Sequence, residues 1–318
     1  MKIWYWIVAA AVTAAGAGMM IEGAKDMRKE AAAAAEIKKA EQFADVQDIS
    51  VKLLHADLTV RADADCKETT VLLQGMPDSV SVQCSDDGEL RIEDKSKEQI
   101  QFFTLDWMIP RGTIEITVPE DTLKKLYTSV GSSEAEFHGI SADEIILSNG
   151  SGSVILDHVT ATEMLSVDSG SGAFYVADTV SDGEVYMDIG SGSMEMKDCA
   201  FGSLETELGS GRLQAENVKI AGSMTSSIGS GSIEAKDLNV GGAAAFQGGS
   251  GDTTLDRFTC DSGVFEYGSG YVDLTLIGKE SDYALEYKNA DEGEVTHTNG
   301  RKPIKIETSG NVDVTFTE

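Results

Sequence analysis

The sequence predicts an all-β protein: a parallel β-solenoid (a single-stranded β-helix) of 19–20-residue coils with two short strands each, preceded by an N-terminal transmembrane helix and a helical stalk. Three observations predict it. Gly-Ser-Gly or a close variant recurs at Gly150, Gly170, Gly190, Gly209, Gly229, Gly249 and Gly268, at spacings of 20, 20, 19, 20, 20 and 19. Apolar residues alternate with polar ones on both sides of each glycine, at strand period rather than helix period. A single uncharged run of 19 residues lies near the amino terminus, ahead of an alanine-rich charged segment.

The repeat carries most of the argument. Four residues after the first glycine stand Ala135, Val154, Phe174, Met194, Leu213, Ile233, Thr253 and Val272; six after stand Phe137, Leu156, Val176, Met196, Ala215, Ala235, Leu255 and Leu274. Ninth positions include Ile140, Val159, Cys199, Val218, Leu238 and Phe258. The third position back holds Leu147, Val167, Met187, Phe246 and Phe265, and the fifth back Leu126, Ile145, Leu165, Val185, Leu204 and Met224. About ten residues per side leave no room for a crossover helix, so each copy must turn and stack on the last, burying an interior that one coil cannot close alone. Gly131-Ser132-Ser133 looks like a degenerate first copy, and Ser309-Gly310-Asn311 a last one after an irregular insert. Glycine suits a turn that needs positive φ and close approach between layers, and the serine between can ladder with its neighbours.

Towards the amino terminus, residues 1–23 form the predicted anchor. Ile3–Ile21 is just long enough, at ~1.5 Å per residue, to span a ~30 Å hydrocarbon core. A cleaved signal segment with its small-residue site at Ala15-Gly16-Ala17 is the alternative. Residues 24–47 read as a helical juxtamembrane stalk, because alanine favours helix and the apolar positions are mostly small. Residues 48–112 hold short alternating segments separated by Gly75-Met76-Pro77-Asp78 and Asp86-Asp87-Gly88, a β-strand lead-in that starts the core. Within it Gln99–Pro110 is rich in aromatics, as packing or as a binding patch. Residues 113–318 form the solenoid.

From Ile49 to Glu318 these features resemble a bacterial family of β-strand-repeat proteins, the "putative adhesin" or toastrack domains of unknown function. The resemblance rests on the alternating lead-in, the proline-bounded strand within TIEITVPEDTLKKLYTSVGSSEAEF, and the copies of strand-x-Ser-Gly-strand. It implies a surface or envelope setting, in some relatives linked to envelope stress. It brings no catalytic motif.

The chemistry read from the residues agrees. The formal charge of −29 disfavours nucleic acid and anionic lipid headgroups as partners. The Gly-Ser-Gly sets lack the strand–loop–helix context and the Gly-Lys-Ser/Thr ending of a phosphate loop. No CxxC, HExxH or GxSxG motif occurs. His138 and His158 fall seven and eight residues after their glycines, in reach of each other on adjacent rungs, but with no phased carboxylate recognised beside them. Cys66 and Cys84 could meet across a hairpin, while Cys199 and Cys260 lie about three rungs apart, ~14 Å along the axis, too far for a disulfide. The expectation is therefore no catalytic, cofactor-binding or metal residues and no cofactor. The chain is expected to be a non-catalytic single-pass cell-membrane protein, held in lipid by its N-terminal helix. Its extracytoplasmic solenoid would serve structural, adhesive or binding roles. The alternative is an envelope-stress sensor that binds a membrane-protein partner or a cationic peptide.

Overall fold

The computed structural model describes residues 38–77, 79–94, 112–289, 293–297 and 300–318. The predicted anchor, most of the stalk and the Gln99–Pro110 stretch lie outside the described residues. Within them all strands join one continuous sheet wound as a parallel β-solenoid. No described helix is long and apolar enough to cross a membrane.

The chain opens with β1 (Lys38–Phe43), β2 (Asp48–Leu53), β3 (Ala56–Ala62), β4 (Thr69–Gln74), β5 (Val80–Cys84), β6 (Glu89–Asp94) and β7 (Gly112–Val118). Next come β8 (Lys125–Ser132) and β9 (Ala135–His138). Long bent strands form the middle: β10 (Ser141–Asp157), β11 (Thr160–Ala177), β12 (Val180–Lys197), β13 (Ala200–Ile220), β14 (Met224–Val240) and β15 (Ala243–Phe258). The chain closes with β16 (Ser262–Ser269), β17 (Val272–Ile277), β18 (Tyr283–Asn289), β19 (Gly293–His297), β20 (Lys302–Glu307) and β21 (Val312–Thr317).

From β10 to β15 the rungs stack in sequence order, each paired in parallel with the next. Their form corrects one expectation. Each middle coil is one long strand bent at its Gly-Ser-Gly rather than two separate short strands. The reason is that pairing continues through the bend, Ser151 with Ser171 and Gly152 with Gly172. The second glycine makes this geometry. Gly172 has φ +145°, and a Cβ placed there would lie 1.7 Å from the Gly152 carbonyl oxygen of the rung below. The first glycine of each set meets the same close approach without the unusual φ: at Gly190 a Cβ would stand 2.6 Å from the Gly170 oxygen. The degenerate copies obey the same rule. Gly150 stacks on the Gly131 carbonyl and Gly310 on that of Gly270.

The predicted inward phase holds throughout the repeat. Met194, Leu213, Ile233 and Val272 are fully buried, as are Val185, Met187, Leu204 and Phe246. Two polar side chains on the inward phase pair with each other, Thr206 donating to Ser226 at 2.8 Å. Phe246 stacks on Phe265 at 4.9 Å between centroids, with Phe258 edge-on to both. Two further inward columns were not apparent from the repeat. One stands directly before the first glycine and runs through Val130, Asn149, Ser169, Ile189, Leu208 and Ile228. The other follows the second corner and includes Ala161, Ser181, Phe201, Ile220, Val240 and Cys260.

Both ends depart from sequence order. Strands β2 and β3 form a rung lying between β6–β7 on one side and β8–β9 on the other. Outside this, β5 pairs antiparallel with β6, β4 with β7, and β1 with β4. At the far end β20–β21 stack on β16–β17, and the β18–β19 hairpin lies beyond β20. Antiparallel strands thus finish the amino-terminal end and one arm of the far end, where an open parallel edge would offer itself to other chains; on the other arm the last described strand, β21, pairs in parallel with β17. This corrects the stalk: Lys38–Phe43 is a strand, not helix. Pairing with β4 satisfies its backbone, and Phe43 packs against the core. Tertiary pairing here outweighs the local helix preference of Lys38–Phe43 itself.

Two measurements test this packing. Gly172→Ala should lower stability in a urea melt by at least ~2 kcal/mol, because backbone must move to admit the methyl group, whereas Ser171→Ala on the exposed corner should cost under ~0.5 kcal/mol. Leu213→Asp places an unpaired carboxylate in the interior and should cost several kcal/mol, roughly 3 or more, while the outward Glu234→Lys should change stability by under ~0.5 kcal/mol. Equal damage within either pair would contradict the assigned phase.

Candidate functional site

In-register stacking turns each outward sequence position into a column along the rod, with neighbours one rung, ~4.8 Å, apart. On the arm before the glycines one such column runs Ser148, Asp168, Asp188, Glu207 and Ser227. Burial pushes the Asp188 carboxyl up, and repulsion from Asp168 and Glu207 adds to it. The same face carries the half-exposed rings of Tyr127 and Tyr186, the latter donating to Glu184 at 2.9 Å. On the arm after the glycines, Glu195, Lys197, Gln214, Glu216, Glu234 and Lys236 line a depression open to solvent. Nearer the carboxyl end Asp273 is raised by burial and then by Asp313 and Asp256. Like charges at rung spacing create a field that attracts cations.

The second corner of each rung is a column of left-handed residues: His158, Asp178, Asp198, Asn217, Asp237 and Arg257, with φ between 47° and 58°. Asn and Asp tolerate this conformation better than most residues, and several rungs use them. Within the column Asn217 donates to Asp198 at 2.5 Å and Arg257 to Asp237 at 2.6 Å. At its amino-terminal end the two histidines meet. His138 Nδ1 lies 3.3 Å from Asp157 Oδ2, and His158 Nδ1 lies 2.8 Å from Asp157 Oδ1. A phased carboxylate therefore does stand beside them, since Asp157 pairs in register with His138. The spacing was visible in the sequence: Asp157 follows its glycine by seven residues, as His138 does. Hydrogen bonding to Asp157, then its charge, raises the His158 imidazole. Burial raises the Asp157 carboxyl, but hydrogen bonds from His158 and His138 outweigh it and hold the group below its ordinary value.

The two buried thiols offer no reactive centre. All four cysteines are unpaired with one another. Cys199 and Cys260 are buried, and desolvation pushes them up to about 11 and about 12, which leaves almost no thiolate at neutral pH. Cys260 faces the interior, in the column that follows the second corner. His297 stands apart, 3.6 Å from Glu280.

A comparison with curated proteins finds no match. Among solved structures the chain is similar to a "putative adhesin" from Parabacteroides distasonis ATCC 8503, at 17% identity and TM-score 0.36, covering 73% of this chain and 96% of that one. It is also similar to a "putative adhesin" from Bacteroides fragilis NCTC 9343, at 13% identity and TM-score 0.34, covering 89% and 99%. A third, a "putative lipid binding protein" from Parabacteroides distasonis ATCC 8503, shows 15% identity and TM-score 0.35, covering 89% and 96%. Residues 46–238, more than half of the chain, match the Toastrack DUF4097 family. The chain belongs to that family.

Proposed function

We propose that this protein is a non-catalytic, membrane-anchored component of the cell envelope whose solenoid presents extended faces for structural, adhesive or binding contacts. The observation that carries this reading is the in-register stack itself. Outward residues recur rung after rung over long, open faces, and the depressions on them, such as that around Gln214 and Glu234, are open to solvent. Such a surface suits a partner that is itself extended. The uncharged run Ile3–Ile21 supplies the anchor. A short amino-terminal apolar segment ahead of a β-rich body acts as an export signal, which puts the solenoid outside the cytoplasm even though Lys25, Arg28 and Lys29 after the run outnumber Lys2 before it. Carbonate washing of membranes should leave the full-length protein in the membrane fraction. A reporter fused after Glu318 should be active only outside the cytoplasm. A mature protein starting at Gly18 would replace the anchor with a cleaved signal.

The acidic column Asp168–Asp188–Glu207 favours a second reading, in which the face senses envelope stress by binding a cationic peptide or a basic segment of a membrane protein. A decalysine peptide should then bind the full-length protein in detergent and be released as salt rises from ~0.02 M to ~0.3 M, as exposed charges are screened. Asp188→Asn combined with Glu207→Gln should weaken binding several-fold. Binding unaffected by either salt or the double variant would reject this reading.

A further inference from the structure

The left-handed corner at the amino-terminal end of the repeat holds a side-chain set that the faces do not use. We propose that Asp157, His158 and Asp178 form a surface site for a divalent transition cation of the zinc type, with His138 positioning Asp157 from behind.

The fold builds this site by repetition. His158 and Asp178 occupy the same corner position in successive rungs, both with left-handed backbone, at φ 54° and 47°. Their side chains therefore project from equivalent places one rung apart. One donor atom from each of Asp157, His158 and Asp178 lies within 4.8 Å of the others. Bonds of ~2.0–2.2 Å from a tetrahedral zinc ion to nitrogen and oxygen place neighbouring donors ~3.3–3.6 Å apart. His158 and Asp178 are exposed and Asp157 is half-buried, so modest side-chain rotation closes the difference.

Three further features distinguish this corner from the acidic surface elsewhere. The other carboxylates of the column are already engaged, Asp198 by Asn217 and Asp237 by Arg257. Asp157 is braced through its second oxygen by His138, whose Nε2 in turn lies 3.3 Å from Glu136 Oε2. Hydrogen bonding of a ligating carboxylate to an outer group of this kind fixes its orientation. Finally, an imidazole with two carboxylates and no thiolate suits zinc and its neighbours. Calcium and magnesium take mostly oxygen donors, in larger number. The net charge of −29 raises the local concentration of any dication. Binding replaces the hydrogen bond between His158 and Asp157 with two metal bonds and releases any proton they share.

The test uses the full-length protein in detergent, stripped of metal and titrated with Zn²⁺ by calorimetry at ~0.5 M salt, where diffuse attraction to acidic surface is largely screened. One saturable site is expected. His158→Asn and Asp178→Asn should each weaken it at least ten-fold. Asparagine keeps the left-handed backbone, as Asn217 does in the same column, so both variants should melt close to the parent. Asp237→Asn, three rungs beyond Asp178, should leave the affinity unchanged. Co²⁺ in place of Zn²⁺ should give visible absorption bands that change in His158→Asn. Absence of saturable binding would overturn the site and leave an ordinary histidine–carboxylate pair. So would binding that survives both substitutions, or that Asp237→Asn weakens equally.

Discussion

The structure depends on one steric constraint: at the glycine corner, the backbone of each rung sits almost directly on a carbonyl oxygen of the rung below. At Gly172, Gly192, Gly211 and Gly231 a Cβ would fall within 2 Å of that oxygen. No side chain fits at these four positions, although the first copy carries Ser133 at the equivalent place and takes Gly152 on its carbonyl oxygen. Once closed, the corner fixes the lateral position of each coil against the last. The ladder of hydrogen bonds then continues through the bend instead of restarting on each arm. Register set at one corner propagates along both arms, because a slip of one residue would turn every inward side chain outward. The ladder between Ser151 and Ser171, 3.2 Å apart, is a by-product of the same alignment.

Much of this was legible in the sequence because the constraint leaves a periodic trace. The glycine spacing locates the corner, and counting from it assigns Met194, Leu213 and Phe246 to the interior. The column immediately before the glycine was harder to see, because Asn149 and Ser169 interrupt its apolar character. The second corner was hidden for a different reason. Left-handed geometry there is met by Asp178, Asp198, Asn217 and Asp237 in the middle rungs but by His158 and Arg257 at the ends, so no single residue marks it as glycine marks the first corner. The ends were illegible because their order is not that of the chain. Nothing in the residues of β2 and β3 announces that β6 and β7 will pass beneath them. Likewise the strand Lys38–Phe43 owes its conformation to pairing with β4, a contact that local helix preference cannot reveal.

The histidine corner shows how close the sequence came to its own chemistry. His138 and Asp157 share a position in successive copies, and His158 and Asp178 share the next one. Read as motifs along the chain, these residues are scattered. Read as columns, they are neighbours. In a stacked fold the chemically informative spacing is the coil length, so donor pairs separated by 19 or 20 residues play the part that pairs three or four apart play on a helix.

The exchanged order at the amino-terminal end bears on how such a chain lengthens and how it is made. A middle coil pairs with its neighbours in the same backbone register as the coils beside it, so a whole unit can be duplicated or deleted between β11 and β14 with the backbone ladder re-formed. The rung β2–β3 is different, because it is enclosed by strands that follow it on both sides. A nascent chain emerging amino end first must hold β2 and β3 without lateral partners until β6 and β7 arrive, and cannot enclose them until His138 has been added. Variation in array length is therefore confined to the interior of the repeat, while the strands that enclose β2 and β3, through β9, close as a unit that later coils extend but cannot replace.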